Sequence, residues 1–249
     1  MGETNRGVQQ LAHDLRIPIN SILALSQILL GRLDGDLTEE QDRQLRLIRQ
    51  SVEEMSRMVD DMLDLARLEA GKAAVRPRRF RVEGLFRALS GVFGPLAAQS
   101  PSVSLSFELI GTLPPLDTDE EKVARILRNL VSNALKFTEQ GAVRVSARHR
   151  PADDMMVFDV SDTGIGIPPS DAARIFEEFT QLDSRLQGRS KGSGLGLPLS
   201  RRLAEILGGS ITVESETGLG STFRAVIPVT YREQVYAASG CGGAGLSEP

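Results

Sequence analysis

The chain has 249 residues, enough for one large domain or two modest ones, and its 41% hydrophobic content is enough to bury a core. Acidic residues outnumber basic ones by 33 to 29, and the net charge of −4 argues against nucleic acid as a partner. The sequence shows no membrane span of ~20 apolar residues and no signal peptide, and a single cysteine, Cys241, excludes an internal disulfide. We therefore expect a cytoplasmic chain.

Two long helices are predicted for the first domain, residues 1–70. Apolar residues recur along each helix at alternating spacings of three and four, which is typical of a heptad seam. The seam residues are Val8, Leu11, Leu15, Pro18, Ile22, Leu25 and Leu29, then Leu45, Ile48, Val52, Met55, Val59, Met62 and Ala66. Gly35 marks a turn between the helices, and Thr38 with Gln41 forms a capping box.

These features predict an antiparallel helical hairpin. Two helices alone bury little apolar surface, so we expect two copies of the hairpin to form a dimeric four-helix bundle. The alternative is that the hairpin packs onto the rest of its own chain.

An α/β sandwich domain is predicted for residues 76–230, after a basic junction and first strand over residues 71–81. The fold class is thus α+β with two domains. Helices are expected at 82–99 and 119–137, and strands at 78–82, 103–109, 142–150, 155–162, 211–216 and 221–228. The tail, residues 231–249, has little to bury and is expected to be disordered.

His13 is the first candidate for chemistry. On a helix it lies about 160–200° from Leu11 and Leu15, so it points away from the seam into solvent. Asp14 could hold one ring N–H and leave the other nitrogen nucleophilic, and Pro18, which lacks an N–H, favours a kink one turn later. A surface histidine without a chemical role is the alternative.

A polar stripe runs along the predicted helix over residues 119–137. Asn129, Asn133 and Lys136 are spaced four and three apart beside the apolar face of that helix. Two amides and a lysine could hold a hydrated Mg²⁺ and neutralise phosphate oxygens, although solvated polar faces are common.

Two glycine-rich segments follow. Asp162 ends a strand, where its carboxylate could accept a hydrogen bond from an amine such as that of adenine, and Gly164 and Gly166 would allow a tight turn; a plain turn is the alternative. Further on, Gly192, Gly194 and Gly196 run into a helix whose N-terminus could hold phosphates. No strand directly precedes these glycines, which counts against a Rossmann site. The polar segment 177–191 is expected to be a mobile lid.

From about residue 5 to residue 230, the order of these segments resembles the sequence boxes of sensor histidine kinases. The stretch around His13 resembles their H box, LRNLVSNALKFT the N box, DTGIGIP the G1 box and IFEEFTQLD the F box. KGSGLGLPLSRRLAEILGG and GLGSTF resemble the two later glycine boxes. The resemblance implies a dimerisation and histidine-phosphotransfer hairpin followed by an ATP-binding domain of the gyrase, Hsp90 and histidine kinase type.

The resemblance also implies roles for individual residues. His13 would be the phosphoacceptor, Asp14 the acid that orients and deprotonates its ring, and Asn133 the Mg²⁺ ligand. The implied ATP-binding residues are Asn129, Asn133, Lys136, Phe137, Asp162, Gly164, Gly166, Ile167, Lys191, Gly192, Ser193, Gly194, Leu195, Gly196, Leu197 and Thr222. Among them, Lys136 would contact a phosphate, Asp162 would bind adenine and Thr222 would support the site near adenine.

The expected function is that of a protein-histidine kinase, either part of a longer receptor or a soluble kinase. It would use ATP to phosphorylate His13 and pass the phosphoryl group to an aspartate of a response regulator receiver domain. Asp14 stands where Glu is commoner, Lys191 where Gly is frequent, and Ile17 where Thr or Asn is usual. Because Ile17 cannot orient a water, weak phosphatase activity is expected. One alternative is a degenerate kinase acting as a dimeric scaffold. The other is a hydrolysing ATPase of the same superfold, disfavoured because Asn129 stands where such enzymes carry a glutamate base.

Overall fold

The computed structural model describes residues 2–32, 35–71, 73–100, 102–181 and 193–232, with side chains from residue 14 onward. Its first two helices are α1 (Gly2–Leu30), which continues through Pro18, and α2 (Glu39–Glu69). The predicted capping box is confirmed at the start of α2. The Gln41 N–H donates to Thr38 Oγ1 at 3.2 Å, and the Thr38 N–H donates to Gln41 Oε1 at 2.9 Å.

The contact between α1 and α2 includes Val52 and Val59 of the predicted seam on α2, but on α1 it uses Ile19 and Leu23, which lie one residue beyond the predicted Pro18 and Ile22. Ile19, Val52, Val59 and Leu63 are buried together, with Leu23 packed against them. Other seam residues remain exposed, namely Leu15, Ile22, Leu25, Leu29, Ile48, Met55 and Met62. An apolar stripe therefore remains on the surface of the hairpin within one chain.

The second domain is built on a five-stranded sheet with the order β2-β4-β5-β7-β6. Its strands are β2 (Val103–Ile110), β4 (Gly141–Arg150), β5 (Met155–Asp162), β6 (Ser210–Glu216) and β7 (Gly220–Pro228). β2 runs parallel to β4, and every other neighbouring pair is antiparallel. Two short strands, β1 (Arg78–Phe80) and β3 (Leu116–Thr118), pair with each other apart from the main sheet.

Three helices contact the sheet: α3 (Val82–Ala98), α4 (Glu120–Phe137) and α5 (Gly196–Ile206). The apolar face of α4 is buried, with Leu127 and Leu130 fully inaccessible, and it packs with Phe158 of β5 in the core. Alternate residues of the strands enter this core because a strand points successive side chains to opposite faces. The predicted α+β fold class is confirmed. Among the described residues, no helix has both the length and the hydropathy needed to cross a membrane.

The C-terminal end of the sheet domain is held to β3. Tyr231 donates its backbone N–H to the carbonyl of Asp117 at 2.8 Å, and Thr230 forms an isolated bridge with Asp117. The rest of the tail, residues 233–249, for which disorder was expected, lies outside the described residues.

Candidate functional site

The polar stripe of α4 lies against the first turn of α5. Asn129 is half-buried and donates from Nδ2 to Ser200 Oγ at 2.8 Å, and Ser200 is only 1% exposed. A Cβ added to Gly196 would lie 2.3 Å from Asn129 Oδ1, so the Asn129 side chain packs directly against the start of α5. The structure thus joins the amide stripe to the start of α5.

Asn133, one turn after Asn129, is half-buried on the same helix. Lys136 follows, and its ammonium lies 5.2 Å from the centroid of the Phe137 ring. The Lys136 side chain lines a cleft of about 230 Å³ together with Phe93 and Leu96 of α3. Asp162 is not among the residues that line this cleft.

Burial and α2 together set the electrostatics of Lys136. Burial lowers the pKa of the Lys136 ammonium, while the charge of Glu54 on α2 raises it and that of Arg57 opposes this. Charges on the hairpin therefore act on the Lys136 ammonium of the other domain.

Asp162 stands at the end of β5, beside the end of α4. Its Oδ1 accepts the backbone N–H of Gly164 at 2.9 Å. Burial raises the pKa of Asp162, and the backbone N–H groups of Gly164 and Ser221 partly oppose that rise. A Cβ on Gly164 would lie 2.2 Å from the carbonyl oxygen of Phe137, so the turn after Asp162 packs directly on α4.

The turn that follows is held against β6. Gly166 has φ +68°, and a Cβ there would lie 2.0 Å from the carbonyl oxygen of Glu216. The next residue, Ile167, donates its N–H to Ser215 Oγ at 2.7 Å. The two predicted glycines of this turn therefore permit close packing on both sides.

A cleft of about 310 Å³ opens at this end of the sheet. It is lined by Asp162, Glu214, Ser215, Glu216, Leu219, Gly220, Ser221 and Thr222. In the strand register Asp162 pairs with Ser221, whereas Thr222 pairs with Ser161, whose Oγ lies 2.9 Å from Thr222 Oγ1. Paired residues point to the same face, so Ser221, at 7% exposure, shares the face of Asp162 and Thr222 lies on the other.

The sequence interpretation named Thr222 but not Ser221, and both residues line the cleft. The signal that could have found it is the period-two alternation of β7, because Ser221 is two residues from Phe223, which is buried at 5% exposure. A residue at that spacing belongs to the inner face of the strand.

The predicted phosphate loop is described from residue 193 onward, so Lys191 and Gly192 lie outside the described residues. Ser193 Oγ accepts the N–H of Leu195 at 3.1 Å. Gly194 has φ +71°, and a Cβ there would lie 2.8 Å from the carbonyl carbon of Phe179. Leu195 is 2% exposed in the core, so it anchors the loop, while Leu197 is half-buried in α5.

His13 belongs to α1, but its side chain lies outside the described residues. Asp14 is exposed, and Ile17, one turn after His13, is 61% exposed. Arg16 donates to Asp60 of α2 at 2.5 Å, which fixes the alignment of the two helices near His13.

Two families match the chain. The family described as His Kinase A (phospho-acceptor) domain matches residues 5–71. The family described as histidine kinase-, DNA gyrase B-, and HSP90-like ATPase matches residues 118–231. The first match covers the hairpin, and the second covers α4, α5 and the strands around the cleft.

Curated relatives and a solved structure agree with these matches. The chain is 38% identical over 220 residues to the circadian input-output histidine kinase CikA of Synechococcus elongatus, covering 88% of this chain and 29% of that protein. It is 38% identical over 224 residues to the aerobic respiration control sensor protein ArcB of Escherichia coli, covering 88% of this chain and 28% of ArcB. A crystal structure of full-length ShkA in complex with AMPPNP matches with a TM-score of 0.76 and 31% identity, covering 92% of this chain and 46% of ShkA.

The chain thus spans less than a third of the length of these two curated relatives. The matched segments are nonetheless those that the hairpin and the α4–α5 site occupy. We conclude that the chain belongs to the sensor histidine kinases, with a phosphoacceptor-type helical hairpin followed by a domain of the histidine kinase, gyrase and Hsp90 ATPase family.

Proposed function

We propose that the chain binds ATP with Mg²⁺, phosphorylates His13 and passes the phosphoryl group to an aspartate of a response regulator receiver domain. One observation carries the proposal. Helix α4 contacts both glycine segments at once, with Asn129 against Gly196 at one point and the Phe137 carbonyl against Gly164 at another. Segments far apart in the chain therefore meet around the helix that bears the amide stripe.

Asp162 is the proposed binding group for adenine. Its carboxylate lies in the cleft at the end of the sheet, and its Oδ1 accepts the N–H of Gly164. A carboxylate has about four lone-pair sites, so it could also accept from an exocyclic amine. Partial burial strengthens such a hydrogen bond because less water competes for the carboxylate.

The start of α5 is the proposed binding site for phosphates. This helix of 11 residues begins at Gly196, and its first N–H groups and positive end favour anions. The amide oxygen of Asn133 is a hard ligand of the kind that Mg²⁺ prefers, so the residue types here fit that cation. When bound, Mg²⁺ would neutralise charge on the phosphates. The hydrogen bond to Ser200 would keep Asn129 oriented beside them.

His13 is the proposed nucleophile. A ring nitrogen of the neutral imidazole would attack the γ-phosphorus, and the bond to the oxygen bridging to the β-phosphate would break, releasing ADP. Asp14 would accept the proton from the other ring nitrogen. A receiver aspartate oxygen would then attack the same phosphorus and free the imidazole.

Labelling with γ-³²P-ATP and Mg²⁺ tests the proposal. We expect the wild-type chain to take up acid-labile label, and His13→Ala to take up none while keeping its ATP affinity in calorimetry. His149→Ala is the matched control, because His149 is the other histidine and pairs with Asp154 at 3.0 Å at the β4–β5 turn. Label that persists in His13→Ala would contradict the assignment. Release of free phosphate without label would indicate a hydrolase, and ATP binding without either product a scaffold.

A further inference from the structure

The two domains are joined by an ion cluster between α2 and α4. Arg125 of α4 donates to Asp61 Oδ1 at 2.8 Å and also bonds to Asp64, so one guanidinium connects two carboxylates a turn apart on α2. The side chains are only 23–32% exposed. This geometry suits arginine, whose rigid fork can bind two acceptors at once.

The start of α4 also holds the junction between the domains. Asp119 Oδ2 accepts the N–H of Arg76 at 2.9 Å, and Lys122 Nζ donates to the carbonyl of Ala74 at 2.8 Å. Leu65 of α2 is 6% exposed and belongs to the core of the sheet domain. The helix that carries the amide stripe is thus attached both to the end of α2, through Arg125, and to the junction that follows α2.

The ion pairs of Arg125 with Asp61 and Asp64 lie at the level of His13 along the hairpin. Arg16 of α1 pairs with Asp60 of α2. Because the two helices are antiparallel, α2 residues that follow Asp60 lie beside α1 residues that precede Arg16. Asp61 and Asp64 are therefore level with the turn of α1 that contains His13.

We infer that Arg125 is a positioning residue for phosphoryl transfer, which clamps the nucleotide-binding helix to α2 at the level of the phosphoacceptor. The inference rests on the proposed function. Transfer needs the γ-phosphate to approach the imidazole ring, and a fixed placement of the two domains replaces a search over many orientations. In a dimer, the imidazole that receives the phosphoryl group could belong to the partner's hairpin. Because both hairpins would share one bundle, the same clamp would also place the nucleotide-binding domain relative to that imidazole.

The test is the initial rate of autophosphorylation at saturating ATP and Mg²⁺, measured beside ATP affinity by calorimetry. Arg125→Ala should lower the rate by about tenfold or more, with ATP affinity unchanged, because the nucleotide site is intact but no longer placed. Arg125→Lys should be intermediate, since an ammonium lacks the fork. Arg128→Ala is the matched control, because Arg128 is an exposed arginine three residues away on α4, and it should keep the wild-type rate.

A charge exchange separates the ion cluster from general damage to α4. Arg125→Asp alone should lower the rate further than Arg125→Ala, and adding Asp61→Arg should recover part of the loss. An Arg125→Ala protein with an unchanged rate, a faster rate or a lost ATP affinity would overturn the inference, and so would the absence of any recovery. A wild-type chain that takes no label would instead overturn the proposed function itself, so the two failures are distinguishable.

Discussion

Asp162 is the residue whose ionisation matters most for the proposed nucleotide binding. Burial raises its pKa, so it takes up a proton at higher pH than an exposed aspartate does. A protonated carboxyl has lost the charge that strengthens a hydrogen bond from adenine. ATP affinity should therefore be constant near neutral pH and fall as the pH drops through this raised pKa.

The variant that tests this is Asp162→Asn. It should bind ATP more weakly by about 1.5–3 kcal/mol at neutral pH, through loss of a charge-assisted bond. It should also lack the fall in affinity that the wild type shows under mild acid. Calorimetry over a pH series measures both effects, and identical acid profiles for the two proteins would remove Asp162 from the site.

Ile17 bears on the opposing activity, hydrolysis of the phosphorylated aspartate of the regulator. It lies one helical turn after His13 and is 61% exposed, but it has no group that can orient a water. We predict slow dephosphorylation of a phosphorylated receiver domain by the wild type and a clear acceleration by Ile17→Thr. Ile17→Val is the matched control, because valine has the shape of threonine without its hydroxyl. Rapid wild-type dephosphorylation, with no gain from threonine, would contradict the prediction.

Among the helices, α4 is the one whose stability we expect to depend most on the residues at its start. Asp119, the N-cap, accepts the N–H of Lys122 at 3.1 Å and its ammonium at 2.5 Å, and its side chain is only 5% exposed. Thr38 caps α2 in the same manner but in an exposed position. The two caps therefore provide a matched comparison between a buried and an exposed helix start.

We predict that Asp119→Ala lowers the free energy of unfolding by roughly 2–4 kcal/mol, because it removes a cap and leaves Lys122 half-buried without its carboxylate. Thr38→Ala should cost about 1 kcal/mol. Urea titration of each variant gives these values. Equal losses in the two variants would mean that the buried ion pair contributes nothing beyond the cap.

The N-cap of α4 should also make the stability of the protein depend on pH. Burial by itself would raise the pKa of Asp119, but hydrogen bonds from Lys122 and from the backbone N–H of Arg76 hold it below its usual value. An acid whose pKa is lower in the folded state stabilises the fold above its unfolded pKa, and this contribution is lost as the pH falls through the folded pKa. Asp119→Ala should therefore flatten the acid limb of the stability profile.

At the scale of the whole molecule, the exposed seam of the hairpin predicts a dimer. Leu25 is 60% exposed and Ile48 46% exposed in the single chain. A second hairpin would cover both residues in each chain, and burying such a side chain is worth about 1.5–3 kcal/mol. Sedimentation equilibrium should give the mass of a dimer for the wild type and of a monomer for the double variant Leu25→Glu, Ile48→Glu.

The matched control for the dimer is Leu219→Glu, since Leu219 is 68% exposed on the turn between β6 and β7. It should remain dimeric. The double variant should keep its ATP affinity, because the proposed nucleotide site lies in the other domain. A double variant that stays dimeric would assign the exposed seam to a different role.

Sequence alone determined the features that follow from short-range pattern. The helical hairpin, the capping box of Thr38 and Gln41, the strand that ends at Asp162 and the start of α5 at Gly196 were all predicted. Each of these depends on residues within one or two turns, so the local sequence contains the physical cause. The order of the family boxes then supplied the candidate site.

Tertiary structure alone decided which of these residues meet. Distant parts of the chain meet where Asn129 approaches Gly196, where Ser221 lies beside Asp162 and where Arg125 binds Asp61. Such contacts depend on strand register and on how helices pack across the domain boundary. A one-residue change of register reverses the face of every side chain, as Ser221 and Thr222 show. The alternation along one strand can indicate which residues share a face, but it does not give the register with the neighbouring strand, because that register is set by the packing of the whole domain.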